Sequence, residues 1–107
     1  MTVFDDLFLI ANHYKCAIFY YGPTRGYYTT ILPWKVDTPT VEPLLEICII
    51  WHHYHFIRLE LRDGFPVPPL NPFWCRMRYS SVVGLETQYF NRIIYFNNEW
   101  QRTDAYL

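Results

Sequence analysis

The chain has 107 residues, of which 51% are hydrophobic, 21% are Phe, Tyr or Trp, and 18% are charged. This length fits one globular domain over residues 1–107, and the composition excludes disorder over most of the chain, because disorder requires low hydrophobicity and high net charge. The 9 Lys and Arg residues against 10 Asp and Glu residues give a net charge of -1, which excludes an electrostatically driven nucleic-acid tail.

The N-terminal third predicts a helix followed by a β-hairpin. Apolar residues recur at helical spacing over Val3–Tyr14. Two runs rich in β-forming residues follow, Cys16–Tyr21 and Tyr27–Leu32. The segment Gly22–Gly26 between them contains Gly and Pro and is typical of a hairpin turn.

The middle of the chain predicts a second helix over Val41–His53 and then a half-buried strand over Phe56–Arg62, where apolar and polar residues alternate. The C-terminal half of this helix is apolar on both sides. Such a helix is either sandwiched within the fold or part of an oligomer contact. We therefore expect self-association, as a homodimer, through Ile49, Ile50 and His53.

The remainder predicts a proline-rich crossover, a strand and a mixed C-terminal segment. Four prolines exclude regular structure in Phe65–Pro72, which also contains the match Pro69–Pro72 to a PxxP docking ligand. Alternation over Phe73–Ser80 predicts a second strand, with Trp74, Arg76 and Arg78 outward. The spacing predicts a helix over Leu85–Asn91, whereas Arg92–Tyr95 fits helix and strand equally well.

Together these elements predict an α+β domain with helices packed on one face of a mostly antiparallel sheet. The expected order is helix, hairpin, helix, strand, strand and mixed C-terminal segment. Met1–Asp6 lacks the basic region and cleavage site of a signal peptide, and the longest apolar stretch, Leu44–Trp51, is too short to span a membrane. The 3 cysteines are an odd, widely spaced set, so we expect a reducing, cytoplasmic location without membrane contact.

Two pairs of residues have the types and part of the spacing of zinc ligands. They are His13 with Cys16, and Cys48 with His52. Structural zinc sites show tight pairs in turns, however, and both of these pairs straddle predicted helix ends. Buried thiols and histidines at helix C-termini explain them better, since positive charge is favourable there. We therefore expect no metal and no cofactor, with these four residues as the weak candidates.

An enzyme is disfavoured by the absence of recognisable catalytic motifs. The only serines, Ser80 and Ser81, lie outside any nucleophile-elbow pattern, and the 4 glycines form no phosphate loop. Cys75 is predicted to face inward from a strand, where a thiol is inert. A small enzyme or zinc protein remains a third reading, because small enzymes assemble their sites from residues far apart in sequence.

The outward residues of the two strands around the proline-rich segment form the predicted binding surface. If Phe56–Arg62 pairs with Phe73–Ser80, these residues share one face. The candidate partner-binding residues are Phe56, Arg58, Arg62, Trp74, Arg76 and Arg78. Interleaved arginine and aromatic residues are typical of protein hot spots, of single-stranded nucleic-acid platforms and of ordinary solvated sheet faces.

These features predict a non-catalytic binding protein, an accessory or inhibitor protein that acts by occupying the surface of a protein partner. A viral or phage protein that blocks a host factor fits this class. The alternative is a single-stranded nucleic-acid or RNA-binding module that uses the arginine and aromatic face. The near-zero net charge disfavours broad nucleic-acid affinity, because that affinity comes mainly from phosphate neutralisation.

Overall fold

A four-stranded mixed sheet organises the small α+β domain in the computed structural model, which describes residues 3–22, 28–34, 44–52 and 55–104. The strands are β1 (Cys16–Tyr21), β2 (Thr29–Ile31), β3 (Leu45–His52) and β4 (His55–Leu59). They lie in the order β2-β1-β3-β4, with β1 and β3 parallel and the two outer pairs antiparallel. The α-helices of the described residues are α1 (Val3–Tyr14), α2 (Pro72–Met77) and α3 (Leu85–Asp104), and a short 3-10 helix spans Ser80–Val82.

β1 lies at the centre of the core and is buried on both faces. Its first four residues are fully buried, namely Cys16, Ala17, Ile18 and Phe19. A strand covered on both faces reads as a continuous apolar run instead of an alternating one, as this segment does. Lys15, with a φ of 53°, joins α1 directly to β1 in the left-handed region, so the chain reverses with a single intervening residue.

The helices cover both faces of the sheet, so the prediction that they pack on one face is wrong. Phe19 and Tyr20 are consecutive in β1, and their side chains therefore point to opposite faces. Phe19 contacts Tyr89 of α3 at 5.8 Å between ring centroids, whereas Tyr20 lines a cavity together with Leu7 of α1. A central strand that is apolar on both faces requires cover on both, which one layer of helices does not provide.

The prediction of a second helix over Val41–His53 is also wrong, because Leu45–His52 is strand β3. The β-branched residues Ile47, Ile49 and Ile50 favour a strand. The apolar run fits a helix and a strand, and its pairing with β1, in which Ile18 is opposite Ile47, selects the strand. Residues 41–43 and His53 lie outside the described residues. The predicted hairpin is confirmed by the antiparallel pairing of β1 with β2, although residues 23–27 of its turn also lie outside.

Of the two strands predicted around the proline-rich segment, the first is confirmed in part: it is β4, which ends at Leu59 instead of Arg62 and is exposed instead of half-buried. The second is wrong. Phe73–Ser80 contains α2 instead, because Asn71 caps this helix: its Oδ1 accepts hydrogen bonds from the backbone nitrogens of Phe73 and Trp74 at 2.8 and 3.2 Å. Pro72 occupies the first turn, where a missing N–H costs nothing. The helix turns Trp74 into the core, where its Nε1 donates to the carbonyl of Pro33 at 3.0 Å.

The proline-rich segment covers the outer edge of β2 through Thr30. The backbone nitrogen of Thr30 donates to Pro69 O at 2.9 Å, and Thr30 O accepts from the nitrogen of Asn71 at 2.9 Å. The Thr30 hydroxyl donates to Pro68 O at 2.6 Å, and Pro68 and Val67 are buried. The segment is therefore part of the fold and engages this edge strand, which disfavours the PxxP match as a free docking ligand.

The C-terminal segment is helical throughout the described residues. The predicted helix over Leu85–Asn91 is confirmed and continues through Arg92–Tyr95, which fitted both periodicities, to Asp104. Leu85 and Tyr89 are buried, so the apolar side of α3 on which they lie faces the core. None of the described helices combines the length and apolarity that crossing a bilayer requires.

We expect Trp74→Phe to lower the free energy of unfolding by about 1–3 kcal/mol, because it leaves the buried Pro33 carbonyl without its donor. Denaturation in urea, followed by circular dichroism, measures this loss. Arg76→Ala on the exposed side of the same helix is the control and should change stability by less than about 0.5 kcal/mol. Equal losses in both variants would show that the hydrogen bond contributes nothing specific.

Candidate interaction surface

β4 is an edge strand whose five residues are all exposed. It pairs with β3 on one side, and no strand of the described residues lies on the other. Phe56, Ile57 and Leu59 expose 55%, 39% and 43% of their surfaces. Natural proteins usually protect an edge with charge, proline, a bulge or a covering segment. The proline-rich segment covers β2 in this way, whereas β4 is left as an open, largely apolar edge, which we call the β4 edge.

Phe56 also lines an apolar cavity of about 240 Å³ between α1 and the sheet. Leu7, Tyr20 and Ile49 complete its lining. Tyr20 and Ile49 are paired in register, so both project toward α1, and Phe56 projects to the same side because it pairs with Trp51. The volume is below the range of about 300–1,000 Å³ that is typical of small-molecule sites, and it suits a single inserted side chain better.

The position of Phe56 is set by contacts with neighbouring rings. Its ring lies 4.8 Å from Trp51 in an edge-on arrangement and 6.4 Å from Tyr20. Aromatic pairs at these separations contribute beyond their buried area. Phe56 is therefore held in place on one side and exposed on the other, as an anchor residue at an interface is. We call Leu7, Tyr20, Ile49, Phe56 and the neighbouring Arg58 the cavity surface.

The structure keeps part of the predicted partner-binding set together. Phe56 and Arg58 are two residues apart in β4 and share its α1-facing side, since Arg58 pairs with Ile49. Arg62 is exposed three residues after the strand ends. Arg58 and Arg62 therefore flank the open edge of the sheet, one in β4 and one after it.

The other three predicted partner-binding residues lie in and after α2, away from this sheet face. Trp74 is fully buried, and Arg76 is exposed on the same helix. Arg78 is half-buried, with its guanidinium 5.4 Å from the centre of the Trp74 ring and its Nε 2.8 Å from Glu86 Oε1. The expected continuous arginine and aromatic face is not assembled, because it required a strand over Phe73–Ser80.

Ile49 and Ile50, predicted to mediate self-association, are half-buried in the interior strand β3. Ile49 faces the cavity, and Ile50 faces the other side of the sheet, where it pairs with Ile57. The helix face on which that prediction depended does not exist. His53, the third residue, lies outside the described residues.

The four weak metal candidates are not gathered at one site. Cys48 pairs with Phe19, so its side chain faces the opposite side of the sheet from that of Cys16. Cys48 and His52 are four residues apart along an extended strand, roughly 13 Å, and His13 is exposed on α1. Within the described ranges, no group of three or more His, Cys, Asp or Glu residues is arranged to hold a metal ion.

Burial makes two of the three free thiols poor nucleophiles. It raises the pKa of Cys48 from 9.0 to about 11, and it also raises the pKa of Cys16. The thiolate is the reactive form, so both side chains stay neutral and inert near neutral pH. Cys75, half-buried in α2, is the accessible thiol of the three.

Sequence reasoning missed Arg92, whose side chain connects α3 to three other parts of the fold. Its Nε donates to Phe65 O at 2.7 Å, and its Nη1 lies 2.8 Å from Glu46 Oε2 in β3. Its guanidinium also lies 5.1 Å from the centre of the Phe19 ring in β1. The one available signal was a basic residue within an otherwise apolar stripe, between Tyr89 and Ile93.

The cavity surface was also missed, apart from Phe56 and Arg58. Leu7, Tyr20 and Ile49 come from three elements that meet through the parallel pairing of β1 with β3. No local pattern in the sequence signals that pairing.

Comparisons with protein-family models, with curated proteins and with solved structures find no match to this chain. Its function is therefore inferred from the geometry of its own residues.

We expect Arg92→Lys to lower the free energy of unfolding by about 1–3 kcal/mol, because a lysine retains the charge but not the fork that serves two acceptors. The side chain of Arg92 is only 14% exposed, although its acceptors on Phe65 and Glu46 are more exposed, so water replaces the lost contacts only in part. The exposed Arg58→Lys is the matched control, with an expected change below about 0.5 kcal/mol in urea denaturation. If the two variants unfolded at the same urea concentration, the contacts of Arg92 would not contribute specifically to stability.

We also expect the folded protein to react rapidly with one equivalent of a thiol reagent near pH 8, and with three equivalents once it is unfolded in denaturant. The fast equivalent belongs to Cys75, so Cys75→Ser should abolish it without changing the slow phase. Rapid reaction of two or three thiols in the folded protein would contradict the burial of Cys16 and Cys48.

Proposed function

We propose that the protein is a non-catalytic binding protein that occupies the surface of a protein partner through the cavity surface. The single observation that carries this proposal is Phe56, a ring anchored by Trp51 and Tyr20 that remains 55% exposed beside an apolar cavity. Binding energy at protein interfaces concentrates in such aromatic anchors and the pockets beside them.

The chemistry of the cavity supports binding over catalysis. Its lining contains one titratable group, the Tyr20 hydroxyl, and burial raises the pKa of that group further above neutrality. A general acid or base works best with a pKa near the working pH. The cavity therefore offers shape and apolar surface, which suit an inserted apolar side chain.

The distribution of charge favours a protein partner over a nucleic acid. The net charge is -1, and Arg78 and Arg92 are each engaged by a glutamate. Nucleic-acid affinity depends on several arginines or lysines that neutralise phosphates together. Arg58 on the cavity surface instead suits an acidic or carbonyl group at the rim of a protein contact.

Within this class, an accessory or inhibitor protein is the role we propose, and a viral protein that blocks a host factor is one form of it. Small size and a binding surface on a rigid sheet suit a protein that acts by occupying a site. The three unpaired cysteines suit a reducing compartment such as the cytoplasm.

The test is affinity capture from lysate of the source cells with wild type, Phe56→Glu and Phe90→Glu. Phe90 is a matched control, because it is also a phenylalanine and is 61% exposed, but lies on α3. We expect a captured protein that survives nuclease treatment and whose Kd rises roughly 30-fold, about 2 kcal/mol, in Phe56→Glu only. Loss of binding on nuclease treatment would favour the nucleic-acid alternative, and equal binding by all three proteins would exclude the cavity surface.

A further inference from the structure

We propose that the β4 edge is the contact between two copies of this chain, which pair antiparallel about a two-fold axis at Leu59. The pairing would join two four-stranded sheets into one continuous sheet. This inference is argued from a different observation, the uncovered backbone edge of β4, although Phe56 and Arg58 belong both to this edge and to the cavity surface.

The first support is the contrast between the two edges of the sheet. The chain covers the outer edge of β2 with its own proline-rich segment, through the backbone hydrogen bonds of Thr30. The β4 edge has no such cover from the described residues, and apolar side chains are exposed on both of its faces. An uncovered strand of this kind is a template for pairing with another strand.

The second support is charge complementarity in a single register. With the axis at Leu59, residues whose numbers sum to 118 are opposite, so Arg58 faces Glu60 of the second copy and Glu60 faces its Arg58. Both residues are exposed, and neither forms an ion pair with any described part of its own chain. Opposite charges directly across an antiparallel pair are favourable, and the symmetry produces the contact twice.

The third support is the match of apolar residues in the same register. Leu59 faces Leu59 of the second copy, and Ile57 faces Leu61 of the second copy. Both contacts lie on the α3 side of the sheet. Phe56 faces Arg62 of the second copy on the other side, where a guanidinium can lie over the ring. Ile57 and Leu59, exposed at 39% and 43% in one copy, would both lose exposed surface.

The neighbouring registers centred on Ile57, Arg58 and Glu60 lack this complementarity, and an axis at Leu61, which would oppose Glu60 to Arg62, lies beyond β4 and would bring the turn at Asp63–Gly64 into the pairing. An axis at Arg58 places arginine against arginine, and an axis at Glu60 places glutamate against glutamate as well as Arg58 against Arg62. An axis at Ile57 leaves Arg58 opposite Phe56 and gives Glu60 no opposite charge. The turn at Asp63–Gly64, where Gly64 has a φ of 74° and the nitrogen of Phe65 donates to Arg62 O at 3.0 Å, comes after Arg62, so residues 60–62 lie between β4 and the turn and can extend along the second copy.

The axis would run perpendicular to the sheet, so the cavity surfaces of both copies would face the same side. The dimer would therefore present two cavity surfaces to one partner assembly. Such bivalent presentation raises the apparent affinity without any new contact.

The test measures mass in solution by light scattering for wild type, Arg58→Glu and Glu60→Arg at micromolar concentration. Wild type should have twice the chain mass of 13.0 kDa. Each variant alone places like charges opposite one another, so we expect the dimer dissociation constant to rise at least tenfold. Circular dichroism checks that both variants, which alter exposed residues, remain folded.

Mixing the two variants is the decisive arm of the test. Arg58→Glu in one chain then faces Glu60→Arg in the other, both contacts are again between opposite charges, and the mixture should regain the mass of a dimer. A monomeric wild type, or two folded variants that dimerise as well alone as mixed, would overturn the proposal. A mass equal to one chain together with intact partner binding would reject the dimer and leave the proposed function standing.

Discussion

The fold depends on burying β1 from both sides. Four consecutive residues of this strand, Cys16–Phe19, are fully buried, and in an extended chain two of them point to each face. The side chains on each face are buried only if another element packs against that face, so α1 lies against one face and α3 against the other. The position of β3 beside β1, where the two strands pair parallel, places a second apolar strand between the same two covered faces. β4 is thereby left as the outermost strand.

The α3 face carries a polar connection centred on Arg92. Arg92 is mostly buried, and a buried guanidinium requires partners for its donors. Nη1 obtains a partner from Glu46 in β3 and Nε from the carbonyl of Phe65, whereas Nη2 is buried without a hydrogen bond among the described residues. The Tyr21 hydroxyl donates to the adjacent Pro66 carbonyl at 3.0 Å. These contacts hold the start of the proline-rich segment against α3 and β1. The face covered by α1 contains the apolar cavity lined by Leu7, Tyr20, Ile49 and Phe56.

The sequence predicts the local elements better than the long-range ones. Val3–Tyr14, the first hairpin, β4 and Leu85–Asn91 follow from periodicity and turn composition. The prediction for Leu45–His52 fails because its apolar run fits both periods, and the choice is made by pairing with a strand about 30 residues earlier. Phe73–Ser80 fails for a local reason, since the Asn71 cap followed by Pro72 outweighs an alternation of apolar and polar residues.

The aromatic content of 21% has a mainly structural explanation. Phe8 stacks on Trp34 and meets Phe73 edge-on at 5.3 Å in each case, and Tyr21, Tyr28 and Phe96 form a second group with separations of 5.3–6.5 Å. Large rings fill a small core with few side chains, so composition alone does not indicate a binding surface. Position does: Phe56 has the same kind of ring contacts on one side, but it lies on the one strand whose outer edge the described chain leaves open. An anchored ring beside an open edge distinguishes this place from the exposed aromatics of α3, which lie on a helix whose backbone hydrogen bonds are already satisfied.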